Sequence, residues 1–204
     1  MDNALTHIEL LRHGRPEGEQ CFRGHSEFAL TESGWQQMYK AVAGLTQVDV
    51  VITSPRIRCQ AFAKLYASDQ KTPLVIEPGF QELNFGDWDG KEKQAVWDQN
   101  QAQLMAFWDD PWATTPPNGE RLVDFDQRIE AAWKAVLERY QGKRILLVTH
   151  GGVIKQIIRQ NLNMPRDGHY LQRMNIPYGA RVSMSVYRDE HNKLWPQLLW
   201  PEQD

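Results

Sequence analysis

Cysteine is scarce in this chain: among 204 residues only Cys21 and Cys59 carry a thiol. Two thiols build neither a disulfide framework nor a four-thiolate zinc site, and they predict reduced cysteines in a cytosolic setting. Long apolar runs are missing as well. Clean runs such as Ile145-Leu146-Leu147-Val148 fall far short of the ~20 residues that span a bilayer. Met1 to Leu11 has no basic start and no long apolar stretch, so no signal peptide is expected. Neither sign of charge is in excess. Lys plus Arg number 23 against 26 Asp plus Glu, for a net charge of -3, which predicts no nucleic-acid and no membrane partner. Repeats and low-complexity tracts are absent. The apolar share of 41% and charged share of 24% match ordinary soluble usage and exclude disorder and coiled coil. A soluble, cytoplasmic, single-domain protein over 1–204 is expected.

What is present is an alternation of short β-branched runs with helical patterns. His7 to Leu11 reads as a first strand. Thr31 then reads as a helix N-cap, followed by Trp35, Met38, Val42 and Leu45 at helical spacing. Val48 to Thr53 is a second strand, and Pro55 opens a helix with Ile57, Ala61 and Leu65. Leu74 to Glu77 is a short third strand. Residues 91–108 are helical with ragged periodicity, and Pro111, Pro116 and Pro117 break the chain after them. Leu122, Phe125, Ile129, Trp133, Val136 and Tyr140 mark a long amphipathic helix. Arg144 to Thr149 is a buried strand, and Val153 to about Leu162 a helix. Val182 to Val186 alternates like a strand, with Trp195 to Trp200 pairing back onto it. Pro196 confines that last strand to a sheet edge. The pattern predicts an α/β fold: a three-layer α/β/α sandwich with a mixed, mainly parallel sheet and a small helical cap inserted around 91–120.

Such sheets place ligands outside the carboxyl ends of their strands. Four loops qualify: Arg12-His13-Gly14, Ser54-Pro55-Arg56-Ile57-Arg58, Gln81 to Gly86 containing Glu82, and His150-Gly151-Gly152. A lone histidine at a strand end is ordinarily structural, and His7, His25, His169 and His191 are read so. Joint placement sets His13 and His150 apart. Two guanidiniums meeting at one point match phosphoryl oxygens. A neutral imidazole beside them can attack phosphorus, and the positive charge should depress its pKa. A carboxylic acid across the site can protonate a leaving alkoxide. Arginines and a second histidine then carry the transition-state charge, so no metal and no cofactor is expected. The chain has no Walker phosphate loop, no G-x-G-x-x-G and no i,i+4 histidine pair in these loops.

With these residues in view, the sequence resembles the histidine phosphatase superfamily, the phosphoglycerate-mutase-like enzymes. Arg12-His13-Gly14 is similar to its R-H-G signature, and Leu30-Thr31-Glu32-Ser33-Gly34 to its L-T-x-x-G. Ser54 to Ala63 resembles S-P-L-x-R-C-x-x-T-A, with Phe62 where Thr is usual. Glu82 to Gly90 resembles E-x-x-F-G-x-W-E-G, with Asp89 for Glu, and Val148 to Gly152 resembles V-(S/T)-H-G-G. The resemblance implies that His13 is the nucleophile and becomes phosphorylated. It implies that Arg12, Arg58 and His150 bind the transferring phosphoryl group, and that Glu82 donates the proton and then activates water. Arg23 and Gly24, in Cys21-Phe22-Arg23-Gly24, and Gly151 are expected at the substrate. The family's usual R-H-G-E-(T/S) reads Arg15-Pro16 here, and its usual Asp and Pro near the substrate rim appear as Glu27 and Ala29.

Within the superfamily, the short chain, Phe85-Gly86-Asp87-Trp88 and Val148 to Lys155 resemble the α-ribazole-5′-phosphate phosphatase branch. That implies a metal-independent phosphomonoesterase acting on a small phosphorylated metabolite, α-ribazole 5′-phosphate. The alternatives are a phosphoglycerate-mutase-type phosphomutase, a phosphatase of other small esters, and a catalytically dead binding module, against which the intact set of Arg12, His13, Arg58, Glu82 and His150 counts. Trp97, Phe107, Trp108 and Trp112 fall in the cap segment, where packing of the cap is the favoured role and stacking on a flat substrate ring the other.

Overall fold

A computed structural model describes residues 5–18 and 20–200. Residues 1–4 of the stretch read above for a leader, Glu19 and residues 201–204 lie outside the described residues. In chain order the elements are β1 (Leu5–Arg12), α1 (Glu32–Val42), β2 (Val50–Thr53), α2 (Ile57–Asp69), β3 (Leu74–Ile76), α3 (Lys93–Asp109), α4 (Leu122–Arg139), β4 (Arg144–Thr149), α5 (Gly151–Asn161), α6 (His169–Arg173), β5 (Arg181–Arg188) and β6 (Leu194–Leu199). Two single-turn 3₁₀ segments, Pro78–Phe80 and Gly86–Trp88, lie between β3 and α3.

The six strands form one mixed sheet in the order β3-β2-β4-β1-β5-β6. The first four are parallel, and the β5–β6 hairpin joins antiparallel on β1. Alternation along the strands divides the core. Ile8, Leu10, Val50, Ile52, Ile145 and Leu147 point to one face and pack with α4 and α5. Leu11, Val51, Leu146 and Val148 point to the other and pack with α1 and α2. A sheet covered on both faces must be apolar on both, which is why β4 reads as an unbroken apolar run. The expected α/β/α sandwich with a mixed, mainly parallel sheet is therefore the observed fold. No helix of the described residues is long and apolar enough to cross a membrane.

Several boundaries differ from the sequence expectation for local reasons. Thr31 is the N-cap of α1 and its hydroxyl accepts the Gly34 amide at 3.0 Å. The helix expected from Pro55 starts at Ile57, whose amide is met by the Glu27 carboxylate at 2.8 Å from outside the helix. α5 starts two residues before Val153, with Gly151 and Gly152 in its first turn. α3 is ragged because Asn100 leaves helical geometry, with φ of -137, and only Val96, Leu104 and Phe107 are buried along it. The five-residue α6 was not anticipated; it is too short for periodicity to reveal.

Between α4 and α5 lies a buried ionic knot. Asp126, 1% exposed, accepts from Arg159 at 2.6 Å, from Arg166 at 3.0 Å and from the amides of Gln156 and Gln160. Burial alone would raise its pKa, but the two glutamines and Arg159 hold its carboxyl below the usual range. Asp126→Ala leaves Arg159 buried without its partner, and a loss of about 3–5 kcal/mol is expected, read as a lower denaturant midpoint. Asp126→Asn keeps an acceptor and should lose less. A loss under about 1 kcal/mol for the alanine variant would show that apolar contact alone joins the two helices.

Candidate active site

Because β1, β2, β3 and β4 run parallel, their carboxyl ends deliver four loops to one edge. His13 directly follows β1. Its amide donates to Thr149 O at 2.9 Å and its carbonyl accepts from Gly179 at 3.2 Å, which pins it between β4 and the turn before β5. Its ring is buried, and Nδ1 lies 2.8 Å from Gly14 O. A carbonyl only accepts, so Nδ1 carries the proton and Nε2 holds the lone pair. Burial pushes the His13 pKa well below 6.5, and the Arg58 and Arg12 charges push it further.

His150, fully buried at the start of α5, stands edge-on to His13 with ring centroids 5.3 Å apart. Its Nε2 is 2.7 Å from Ser54 Oγ, and the Cys59 sulfur packs 3.7 Å from the same nitrogen. Burial, then Arg58, depress its pKa as they do for His13. Arg12 lies 4.1 Å over the Tyr178 ring and donates to Ile176 O. Arg58 has no accessible surface and donates to the carbonyls of Arg23, Gly24 and Ser26 at 3.0, 2.6 and 2.9 Å. Neither guanidinium forms an ion pair with a carboxylate among the described residues. Each keeps a buried Nε–H without an acceptor, and a phosphoryl oxygen would satisfy such donors.

Glu82 faces this set from the loop after β3. One of its oxygens accepts the Gly152 amide at 3.0 Å and the other its neighbour's amide at 3.1 Å. A Cβ on Gly152 would sit 2.2 Å from that carboxylate, so only glycine permits the contact. The loop itself is held by Arg128 of α4, which donates to the carbonyls of Gly79, Gln81 and Glu82 at 2.8, 2.8 and 3.0 Å while pairing with Glu120 at 2.6 Å.

These groups share a cavity of about 150 Å³ whose walls include Arg12, His13, Arg23, Glu82, Phe85 and Trp108. It opens into a chamber of about 650 Å³ bordered by Arg15, Arg23, Gln37, Lys93 and Tyr178. On the other side of Glu82 an apolar cavity of about 140 Å³ lies among Leu83, Phe85, Phe107, Trp108 and Phe125. The structure thus gathers Arg12, His13, Arg23 and Glu82 around one hollow, while His150 and Arg58 are fully buried beside it, His150 against the His13 ring and Arg58 on the carbonyls of Arg23 and Gly24. Gly151 lies against Arg12, 3.2 Å from Nε at its Cβ position, and Gly24 faces Leu83 O and Asp89. Glu27 and Arg56 pair at 3.1 Å, so Glu27 serves the start of α2.

Of the cap aromatics, Trp108 is on the wall shared with His13. Phe107 is core, and Trp112 lies elsewhere, its Nε1 donating to Asp167 O at 3.2 Å. Trp97 borders a separate surface hollow with Lys93 and Trp108. Ser54, Gly152, Tyr178 and Lys93 belong to the surroundings of the site and were not singled out from the sequence. Ser54 and Gly152 lie inside quoted motifs, whereas Tyr178 sits in a turn that no periodicity marks. No group of three or more His, Cys, Asp or Glu side chains is gathered to hold a metal among the described residues.

The family profile of the histidine phosphatase superfamily (branch 1) matches residues 8–196. The adenosylcobalamin/alpha-ribazole phosphatase of Escherichia coli K12 is 30% identical over 164 residues, 78% of this chain and 80% of that protein. A protein of Erwinia tasmaniensis named "Probable phosphoglycerate mutase GpmB" is 25% identical over 93% of this chain and 86% of its own. The crystal structure of the alpha-ribazole phosphatase from Shigella flexneri superposes with a TM-score of 0.78 at 26% identity, covering 95% of each chain.

The buried histidines make stability depend on pH. Their folded pKa values lie below 6.5, so as pH falls the unfolded chain binds protons first. Their stabilising contribution is complete above pH 6.5 and is lost as pH falls toward the folded values. Each histidine should cost up to about 1.4 kcal/mol per pH unit in that window. Urea midpoints should drop from pH 7 toward pH 5, and His13→Gln and His150→Gln should each flatten the slope. An unchanged slope in both variants would contradict the burial of neutral imidazoles.

Proposed function

The chain belongs to the histidine phosphatase superfamily, and from that premise we propose that it hydrolyses α-ribazole 5′-phosphate to α-ribazole and phosphate. It is a phosphoric monoester hydrolase by family. The observation that carries the substrate is the wall of rings beside the nucleophile: Phe22, Phe85, Trp108 and Tyr178 border the hollow that holds His13 and Glu82. A phosphate seated against the guanidiniums leaves a benzimidazole ring within reach of that aromatic surface. Stacking of a base-sized ring is worth about 1–3 kcal/mol, enough for a 10- to 100-fold preference. In this reading residues 91–120 are a cap that carries Trp108 to the site. The setting is cytoplasmic, and the partner is a small metabolite.

The reaction proceeds in two displacements. The Nε2 lone pair of His13 attacks phosphorus, an N–P bond forms and the P–O bond to the ribose oxygen breaks. Glu82 in its acid form gives that oxygen its proton, so α-ribazole leaves as a neutral alcohol. Water then gives a proton to the Glu82 carboxylate while its oxygen attacks phosphorus. The N–P bond breaks, and phosphate leaves with His13 and Glu82 restored. Arg12 and Arg58 supply positive charge to the phosphoryl oxygens, and His150, as a neutral imidazole, supplies a ring N–H donor already in place.

A phosphoglycerate-type ester is the second reading. It draws on the adjoining chamber, where Arg15, Arg23 and Lys93 would suit a carboxylate beside the phosphate.

Measured kcat/KM should favour α-ribazole 5′-phosphate over 3-phosphoglycerate, AMP and a sugar phosphate by at least about tenfold. A preference for 3-phosphoglycerate, or its conversion to 2-phosphoglycerate, would replace the first reading by the second. Glu82→Gln should lower kcat by about 10²- to 10⁴-fold on alkyl esters. The deficit should be much smaller on p-nitrophenyl phosphate, whose leaving group needs no proton. Equal deficits on both would remove Glu82 from the acid role.

A further inference from the structure

Residues 23–26 cross the site in neither helix nor strand, yet their backbone groups are almost all satisfied, and by side chains. The amides of Gly24, His25 and Ser26 donate to the Asp89 carboxylate at 3.2, 2.6 and 3.0 Å. From the opposite side Arg58 takes the carbonyls of Arg23, Gly24 and Ser26, and Arg56 takes that of His25 at 2.6 Å. The segment is thus clamped between one anion, which binds its donors, and two cations, which bind its acceptors. Gly24 makes the clamp possible, since a Cβ there would lie 2.4 Å from the Asp89 carboxylate and 2.1 Å from Leu83 O.

Arg58 depends on this arrangement. It is wholly buried, and its guanidinium donates to those three carbonyls. Of the charges near His13 and His150 it acts most strongly on both. Asp89 is half-buried, and the Gly24, His25 and Ser26 amides it holds lie 63–65 residues away in sequence. Burial would raise its pKa, but Ser26 and the amides of His25, Ser26 and Phe85 keep the carboxyl ionised below its usual range. The anionic form is the one that accepts three amides.

We infer that Asp89 is a positioning residue, which fixes the carbonyls of residues 23–26 and through them aims the Arg58 guanidinium at the phosphoryl group. The inference rests on the reading of Arg58 as a phosphoryl-binding residue. Asn at position 89 would offer one acceptor oxygen for three amides and turn an NH₂ toward them. Glu would keep the charge and the acceptors.

The test is a double-mutant cycle on purified protein with p-nitrophenyl phosphate, with inhibition by inorganic phosphate as a second readout. Asp89→Asn should lower kcat/KM about 10- to 100-fold and raise the phosphate inhibition constant in parallel, as expected for a lost charge-assisted contact. Asp89→Glu should stay within about threefold of wild type. On an Arg58→Ala background the Asp89→Asn change should cost less than about twofold, because a residue that acts through another loses its effect when the other is gone. The same fold-loss on both backgrounds would overturn the inference. If Asp89→Asn does not fold, Ser26→Ala, which removes one contact to the carboxylate, replaces it in the cycle with a smaller loss and the same criterion. Wild-type protein without turnover would overturn the proposed function and this inference together. Turnover with an additive cycle would overturn the inference alone.

Discussion

The buried backbone of the loops at the carboxyl edge must find hydrogen-bond partners, and the site depends on how it does. A sheet satisfies its own amides and carbonyls; these loops cannot. An unpaired buried group costs about 1–3 kcal/mol, so the loops at residues 23–26 and 79–82 would be untenable without external partners. Arg58, Asp89 and Arg128 provide them. The solution has an electrostatic by-product. Arg58 is stabilised by carbonyl dipoles, with no carboxylate ion pair among the described residues, so its charge is spread but not cancelled. The same holds for Arg12, set against Ile176 O and the Tyr178 ring. Positive potential therefore persists beside the hollow, where together with burial, the larger cause, it keeps two imidazoles neutral and favours an incoming anion.

The catalytic groups themselves stand on rigid elements. His13 and His150 extend two adjacent strands, β1 and β4, whose pairing runs residue by residue up to Arg12 and Thr149. Sheet register therefore sets the spacing of the two rings. Glu82 has no such support from its short strand, β3, and receives it instead from α5 through Gly152 and from α4 through Arg128. Asp126 in turn locks α4 to α5. The acid and the nucleophile are held by different layers of one fold, so motion between α5 and the sheet would change their separation.

Much of this was legible in the sequence because it depends on local pattern. The β4 run, the alternation in β5 and the Thr31 cap each have a periodic or chemical signature, and the joint position of His13, Arg58, Glu82 and His150 followed from strand ends. Other features left no such trace. The Asn100 break in α3 is a departure from periodicity, and α6 is a single turn and a half. Tyr178 is an ordinary turn residue until Arg12 is seen lying over its ring. Arg128 reads as one more polar position on an amphipathic helix, because side-chain bonds to distant carbonyls have no period. Asp89 was visible as a one-carbon shortening of a motif glutamate, but its three amide partners lie more than sixty residues upstream.

The two margins of the sheet differ from its middle in a way that bears on how copies of this protein meet. One margin is β3, three residues long. The other is β6, where Pro196 stands opposite Val186 and has no N–H to offer. Neither gives a stranger's strand a long row of donors and acceptors to copy. Fibrillar stacking and edge-to-edge exchange are thereby disfavoured, even though Ile76 and Trp195 expose apolar surface along those margins. Self-association through continued sheet growth is therefore the least accessible route, and any assembly of copies would have to be built from the helical faces or the loops.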